Sequence, residues 1–335
     1  MEKLGIAIVG CGAISKNHAE AVAKSSNAEL LYCMDIVKER AEELSEQFGG
    51  IPSDDFNEIL SDPGVDVVHI CTPHYTHHEL AIEAMEHGKH VFCEKPMAIY
   101  PEDARKMIEA SEKNRCYLGI CFQNRMNPTT VKAKEIIDSG EYGRILSAMA
   151  RMAWDRHGTY YTESDWRGKY KTEGGGVIIN QAIHTIDLLD YLCGGIRTVT
   201  AIATKLRETD DYEVDDSCMA NFGLSNGSCA VGHFTNCYTC GTLAQVEVTC
   251  EKARIVVDRH KLEIITENGT QIYTGDNPTG KKSEWGMSHI RIIQLFYNCI
   301  QENKPFFVDG YSALRSVVIV DAIKRSNGCL IHIDV

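Results

Sequence analysis

Through about the first 120 residues, short apolar or β-branched runs alternate with longer stretches whose apolar positions recur every three or four residues. The runs are Leu4–Val9, Leu30–Met34, Val65–Ile70, His90–Cys93 and Tyr117–Cys121. Between them lie Ala13–Lys24, Lys38–Phe48, His74–His87 and Pro101–Asn114. This βαβ rhythm predicts a parallel, doubly wound α/β sheet. From roughly Ser147 the period changes to two, as in Thr198–Leu206, Ser217–Leu224, Ser228–Thr235, Leu243–Cys250 and Ala253–Val257. Asn226-Gly227 and Asn268-Gly269 sit between such runs as hairpin signals. A second, α+β domain with an open, mainly antiparallel sheet is expected. Helical stretches at Ser283–Asn303 and Ser312–Ser326 should close the chain by packing on the two domains, with the last helix returning to the first.

Length agrees with this division, because 335 residues at roughly 150 per domain make two. The boundary is expected near 122, giving domains 1–122 and 123–335. With 34 Lys and Arg against 47 Asp and Glu, the net charge of −13 leaves no extended phosphate-neutralising face, so nucleic acid is not an expected partner. The apolar run at the start breaks at Gly10 and is too short for a secretory leader, and no stretch approaches the roughly 18 apolar residues of a membrane span. A cytoplasmic protein is expected, with its 14 cysteines serving mostly as small buried hydrophobes. Cys237-Tyr-Thr-Cys240 has the spacing of half a zinc site, but no second pair follows, and no metal is expected.

Gly10-Cys11-Gly12-Ala13-Ile14-Ser15 follows the first strand and opens a helix, the context a dinucleotide fingerprint requires. Gly10 permits the tight turn, Gly12 admits a pyrophosphate, and Ser15 stands small in place of the third glycine. Asp35 ends the second strand, where a carboxylate accepts ribose hydroxyls and repels a 2′-phosphate, favouring NAD over NADP. Arg40, one turn into the next helix, is placed to cover the adenine, and Thr72-Pro73 lies at the cofactor edge of the third run.

Lys95, in Glu94-Lys95-Pro96 after the fourth run, points into the same crevice, and desolvation beside positive charge would draw its pKa down enough to exchange a proton with a hydroxyl. Gly174-Gly175-Gly176 allows a close backbone approach to something bulky, and the helix after it sets Asn180 and His184 on one face toward one ligand. Asp187 either orients His184 or caps a local network.

Together with Gln123-Asn124-Arg125 before Asn127-Pro128 and with Trp166-Arg167-Gly168, these motifs resemble the Gfo/Idh/MocA oxidoreductases, and the resemblance runs to Asp309-Gly310 and the last helix. It implies a Rossmann domain and an α/β domain whose open sheet covers the active site on one face and builds a homodimer or homotetramer with the other. It implies hydride transfer between a nicotinamide cofactor and a secondary hydroxyl of a sugar, glycoside, cyclitol or sugar nucleotide. Lys95 and His184 become the acid/base and substrate-orienting residues. Glu94, His77, Gln123, Trp166 and Arg167 join the cofactor side, and Arg125 joins the substrate side.

Many polyol dehydrogenases of that family carry aspartate where this chain has Asn180, an amide that cannot take a proton. Another departure is His74, where asparagine is common. Trp154, Arg156, His157, Tyr160 and Tyr161 form a segment suited to stacking on a sugar. Net dehydrogenation is the leading expectation. Redox-assisted glycoside cleavage with restored NAD is the alternative, and a non-catalytic sugar or nucleotide sensor is disfavoured by the presence of both Lys95 and His184.

Overall fold

The computed structural model describes residues 2–275 and 288–334, and they divide into two compact units. The first comprises Met1–Gln123 and Met287–Leu314, the second Asn124–Gly286 and Arg315–Val335. The chain therefore returns to the first unit over a segment that a single boundary near 122 would place in the second. The start of the helix expected at Ser283–Asn303 lies outside the described residues. No helix among the described residues is long and apolar enough to cross a membrane.

In the first unit, β1 (Leu4–Val9), β2 (Ala28–Met34), β3 (Ile51–Ser53), β4 (Val67–Ile70), β5 (His90–Glu94) and β6 (Leu118–Cys121) form one parallel sheet in the order 3-2-1-4-5-6. Its crossovers are α1 (Ser15–Ala23), α2 (Lys38–Phe48), α3 (Phe56–Ser61), α4 (His77–Glu86) and α5 (Pro101–Asn114). The three-residue β3 is too short to show as a periodic run. Strand order reverses between β1 and β4, so the crevice for a ligand opens at their carboxyl ends. Gly10 has φ +91°, and a Cβ there would stand 2.7 Å from the Cys71 carbonyl carbon, so only glycine lets the loop after β1 lie against the end of β4.

The returning α9 (Ser288–Glu302) is bound to this sheet by aromatic packing. Phe296 meets Phe92 and Phe306 with ring centroids 5.1 Å apart in each case, and Gly119 of β6 leaves the room, since a Cβ would come within 2.7 Å of the Phe296 ring.

Beneath the crevice runs a fully buried polar chain. Tyr297 Oη lies 2.8 Å from His69 Nε2, His69 Nδ1 lies 2.8 Å from His18 Nδ1, and His18 Nε2 lies 3.0 Å from Glu94 Oε1. Burial alone would push the Glu94 carboxyl up, yet the bond from His18 and the nearby His289 hold it well below the usual carboxylate range. Burial also keeps both His18 and His69 on the neutral side. One assignment of protons satisfies every member: Tyr297 donates to His69, His69 to His18, and His18 to the Glu94 carboxylate. Glu94, His18 and Cys121 are the one group of three metal-type donors among the described residues. Burial and Glu94 keep the Cys121 thiol well above its ordinary pKa, so the group holds together through protonated donors around one carboxylate.

The second unit contains α6 (Pro128–Ser139), β7 (Ile145–Ala153), α7 (Thr159–Thr162), α8 (Ile183–Cys193), β8 (Ile196–Thr204), β9 (Ser217–Leu224), β10 (Cys229–Thr235), β11 (Gln245–Cys250), β12 (Arg254–Asp258), β13 (Lys261–Thr266), β14 (Gly269–Thr274), most of α10 (Gly310–Ser326) and β15 (Ile331–His332). The nine strands make one sheet in the order 14-13-12-11-7-10-9-8-15, antiparallel except where β10 pairs with β7. Both Asn-Gly turns fall where hairpin geometry required them, between β9 and β10 and between β13 and β14. α8 packs on β7 and β11, and α6 on β12. Met149, Val231, Met219 and Ile202 lie side by side on neighbouring strands and stay exposed.

The polar chain generates a graded expectation for stability. His18→Ala strips the donor from a buried carboxylate and should lower the unfolding free energy by roughly 2–4 kcal/mol. Tyr297→Phe, at the neutral far end, should lower it by about 1 kcal/mol. Urea unfolding of the two variants checks the order, and equal losses would contradict the assigned direction of the chain.

Candidate active site

The first unit presents the nucleotide-binding features in one place. A Cβ on Gly12 would meet no atom within 4 Å, so the loop holds an open cradle at the start of α1, at the positive end of the helix dipole. Ser15 is buried and donates from its hydroxyl to the Gly12 carbonyl at 2.6 Å, fixing the loop to the helix. Ala13 is exposed and Ile14 half-buried.

Asp35 Oδ2 accepts the Cys11 N–H at 2.8 Å and Oδ1 accepts the Val37 N–H at 2.9 Å, which holds the carboxylate at the rim of the cradle with lone pairs left for hydroxyls. The Arg40 guanidinium is half-exposed at 3.9 Å from the same carboxylate. Ile36, 86% exposed next to Asp35, offers an apolar surface although it belongs to no periodic run in the sequence. Gln123, at the end of the first unit, has a buried Oε1 with no hydrogen-bond partner. An open glycine cradle, a carboxylate at its rim and an orphaned amide oxygen all fit a dinucleotide.

His77 behaves differently from expectation. Its ring is buried, with Nδ1 2.8 Å from the Pro96 carbonyl and Nε2 2.9 Å from the Thr72 carbonyl. Both nitrogens are directed at backbone, so His77 ties the loops after β4 and β5 together instead of presenting a nitrogen to a cofactor. Thr72 and Pro73 are half-exposed at that junction, and Thr76 donates to the Thr72 hydroxyl. Lys95 is half-buried, its N–H donates to Glu94 Oε2 at 3.2 Å, and the Lys95–Pro96 peptide is cis.

In the second unit the glycines face the chain itself. A Cβ on Gly176 would fall 1.9 Å from the Asp215 carbonyl oxygen. The bulky neighbour the glycines admit is therefore the segment leading into β9. The Asp215 carboxylate then accepts the N–H groups of Gly176 at 2.9 Å and Ile178 at 3.1 Å, capping the helix that follows. That helix does not start as an α-helix: Ile178–Ala182 is a π-helical turn, and α8 begins at Ile183. Such turns concentrate at functional sites, and this one carries Asn180 and Gln181 just ahead of His184.

Asn180 Nδ2 lies 2.5 Å from Glu173 Oε1 and 3.3 Å from Tyr160 Oη, and Gln181 Nε2 lies 2.7 Å from the same hydroxyl. Gln181 Oε1 in turn accepts from Asn236 Nδ2 at 3.0 Å. His184 is half-buried in the first turn of α8. Glu173, Gln181 and Asn236 were not legible in the sequence, since each is an ordinary polar residue until the fold joins it to Asn180.

The aromatic segment forms a ladder. The Arg156 guanidinium lies over Trp154 at 5.3 Å and Tyr160 at 5.5 Å, and Arg167 lies over Tyr160 at 4.6 Å and Trp166 at 5.2 Å. His157 points outward, 2.9 Å from Asp155. Arg125 does not join this group. Its guanidinium is buried in a two-bond pair with Asp187 at 2.8 and 2.6 Å, and Asp187 also accepts from Ser316. Arg125 therefore anchors α8 instead of meeting substrate, and Asp187 serves that network instead of orienting His184. Cys237 is half-buried and Cys240 exposed, and burial with a bond to Asp216 pushes the Cys237 thiol up, away from thiolate chemistry.

Residues 4–122 match the model of an oxidoreductase family with an NAD-binding Rossmann fold, Gfo/Idh/MocA, and residues 130–256 match the Gfo/Idh/MocA C-terminal domain. Levoglucosan dehydrogenase of Pseudarthrobacter phenanthrenivorans is 27% identical, with 97% of this chain and 96% of that protein covered. Myo-inositol 2-dehydrogenase of Thermotoga maritima is 26% identical over 96% and 95% of the two chains. The WlbA dehydrogenase from Bordetella pertussis, solved with NADH and UDP-GlcNAcA, is 28% identical with a TM-score of 0.89, covering 100% of this chain and 99% of that one. With both matched regions in the family's order and a dinucleotide cradle at the head of its parallel sheet, the chain belongs to the Gfo/Idh/MocA oxidoreductases and is an NAD-dependent enzyme of that family.

Proposed function

We propose that this enzyme oxidises a secondary hydroxyl of a sugar, glycoside, cyclitol or sugar nucleotide. The observation that carries this reading is the helix entrance at residues 178–184, where a π turn presents a clamped amide, Asn180, immediately before His184. Relatives whose names specify levoglucosan and myo-inositol, and a related structure holding a sugar nucleotide, support polyhydroxylated substrates.

NAD, when bound, supplies the acceptor for the hydride that leaves the carbinol carbon. Gly10, Gly12, Ala13, Ile14, Asp35 and Gln123 would hold it. Lys95 of the first unit or His184 of the second takes the hydroxyl proton, and Asn180 hydrogen-bonds a substrate hydroxyl and fixes its orientation. Trp154, Arg156 and Tyr160 bound the sugar.

The exposed stripe of Met149, Val231, Met219 and Ile202 fits a second copy of this chain, because an apolar face of this kind on an open sheet marks an interaction surface.

Four measurements check the reading. A screen of sugars, cyclitols, glycosides and nucleotide sugars should give NADH accumulation with at least one; bond cleavage without NADH would contradict net oxidation. Lys95→Met should keep NAD affinity within a few-fold while turnover falls by roughly 10²–10⁴, and near-normal turnover would remove Lys95 from the chemistry. In calorimetry NAD should bind more tightly than NADP, and Asp35→Ser should narrow the gap; equal affinities in the unaltered protein would sink the role of Asp35. Met219→Glu should lower the mass found by light scattering, and an unchanged assembly would exclude this face.

A further inference from the structure

Arg156 and Arg167 flank α7 in the sequence, and in the second unit they converge on one ring, their guanidiniums 5.5 and 4.6 Å from the centre of Tyr160. Both are half-buried. A ring face answers the charge of a guanidinium but not the N–H donors that lie in its plane. Arg156 directs one of these at the neighbouring Asp155 carbonyl over a long 3.5 Å, and Arg167 Nε is buried with no hydrogen-bond partner.

The nearby acids are engaged elsewhere. Asp155 Oδ1 accepts from Arg207 at 2.6 Å and lies 2.9 Å from His157. Glu173 accepts from Asn180 and from the Gly168 N–H, and burial pushes its carboxyl up to about 7, so at neutral pH it supplies a partial charge. Among the described residues neither guanidinium is in an ion pair, although the chain has 47 Asp and Glu against 34 Lys and Arg.

Two like charges gathered on one ring repel each other, and an anion between their planes would turn that repulsion into attraction. Planar guanidiniums are also the side chains that grip a carboxylate or a phosphate through paired N–H bonds. The pair stands one side chain from the turn that carries the candidate chemistry, because the Tyr160 hydroxyl accepts from Gln181 Nε2 at 2.7 Å and Asn180 Nδ2 at 3.3 Å.

We propose that the substrate carries an anionic group, a carboxylate or a phosphate, and that Arg156 and Arg167 hold that group beside Tyr160. This deepens the dehydrogenase reading and rests on it. It moves Arg167 from the cofactor side, where the family resemblance set it, to the substrate side. Sugar acids, sugar phosphates and sugars linked to a nucleoside diphosphate are then the favoured classes, and neutral sugars and cyclitols are poor substrates.

Matched ligands test this. With NAD present, NADH formation and calorimetric binding are measured for glucose, glucuronate, glucose 6-phosphate and UDP-glucose, and for the same series built on galactose. The uronate arm separates a carboxylate from a phosphate as the recognised group. At least one charged member should bind, and its kcat/KM should exceed that of its neutral parent by tenfold or more, with KM rising as salt is added. Arg156→Gln and Arg167→Gln should each raise KM for that member by roughly ten- to a hundred-fold, the worth of a hydrogen bond to a charged group, and leave NAD affinity within a few-fold. Arg156→Lys keeps a charge over the rings without the fork and should fall between.

A neutral parent oxidised as well as every charged derivative would overturn the proposal and leave the dehydrogenase reading standing. A charged substrate whose KM ignores both Gln substitutions, or an Arg167→Gln enzyme that loses NAD affinity in place of substrate affinity, would overturn it too. NADH from none of the sugars screened would strike the dehydrogenase reading instead, and calorimetry then decides the anion site by itself: no charged member binding more tightly than its parent contradicts it.

Discussion

The charge on Glu94 has almost no solvent to stabilise it, and the first unit is arranged around keeping it in place. An isolated buried carboxylate would take up a proton instead of remaining ionised. Here the donors come from parts of the chain far apart in sequence: His18 from α1, His69 from β4 behind it, and Tyr297 from the returning α9. Each link is neutral, so only one group in the chain carries charge and the desolvation penalty is met once. The helix that opens at the glycine cradle, the strand beside it, the strand that ends in Glu94-Lys95 and the late return of the chain are thereby fixed to one another. The backbone that carries Lys95 inherits its position from this arrangement.

The second unit solves a similar problem with different groups. Asp215 caps the entrance to the π turn, Glu173 clamps Asn180, and Asp187 and Asp190 hold α8 through Arg125 and Arg315. Four buried carboxylates therefore set the frame on which Asn180 and His184 stand. Gly176 makes this possible by letting the backbone touch the Asp215 carbonyl.

What could be read from the sequence was what local spacing encodes. The alternation of runs and helices gave the parallel sheet, Asn226-Gly227 and Asn268-Gly269 gave two hairpins, and Gly10 and Gly12 announced a cradle in which the positive φ of Gly10 requires glycine and Gly12 leaves open space. Long-range pairing was hidden. Arg125 next to a family-like motif suggests a ligand contact, but its partner Asp187 lies 62 residues on, and nothing local reveals a buried ion pair. His77 reads as a cofactor residue until its two nitrogens are seen against backbone carbonyls. The π turn was invisible because π and α turns share composition, and Glu173 was passed over because a glutamate before glycines is ordinarily a solvated charge. Strands β13 and β14 were marked only by the turn between them, because β14, exposed along its length, has no buried alternation of its own.

The central claim is hydride transfer from a carbinol carbon, and isotope transfer tests it most directly. A substrate found to be oxidised would be labelled with deuterium at the carbon that becomes the carbonyl, and the reduced cofactor would be analysed by mass spectrometry. The account predicts that the deuterium is recovered on the cofactor, with none exchanged to water. Deuterium appearing in solvent, or a product formed while the cofactor stays unlabelled, would contradict it.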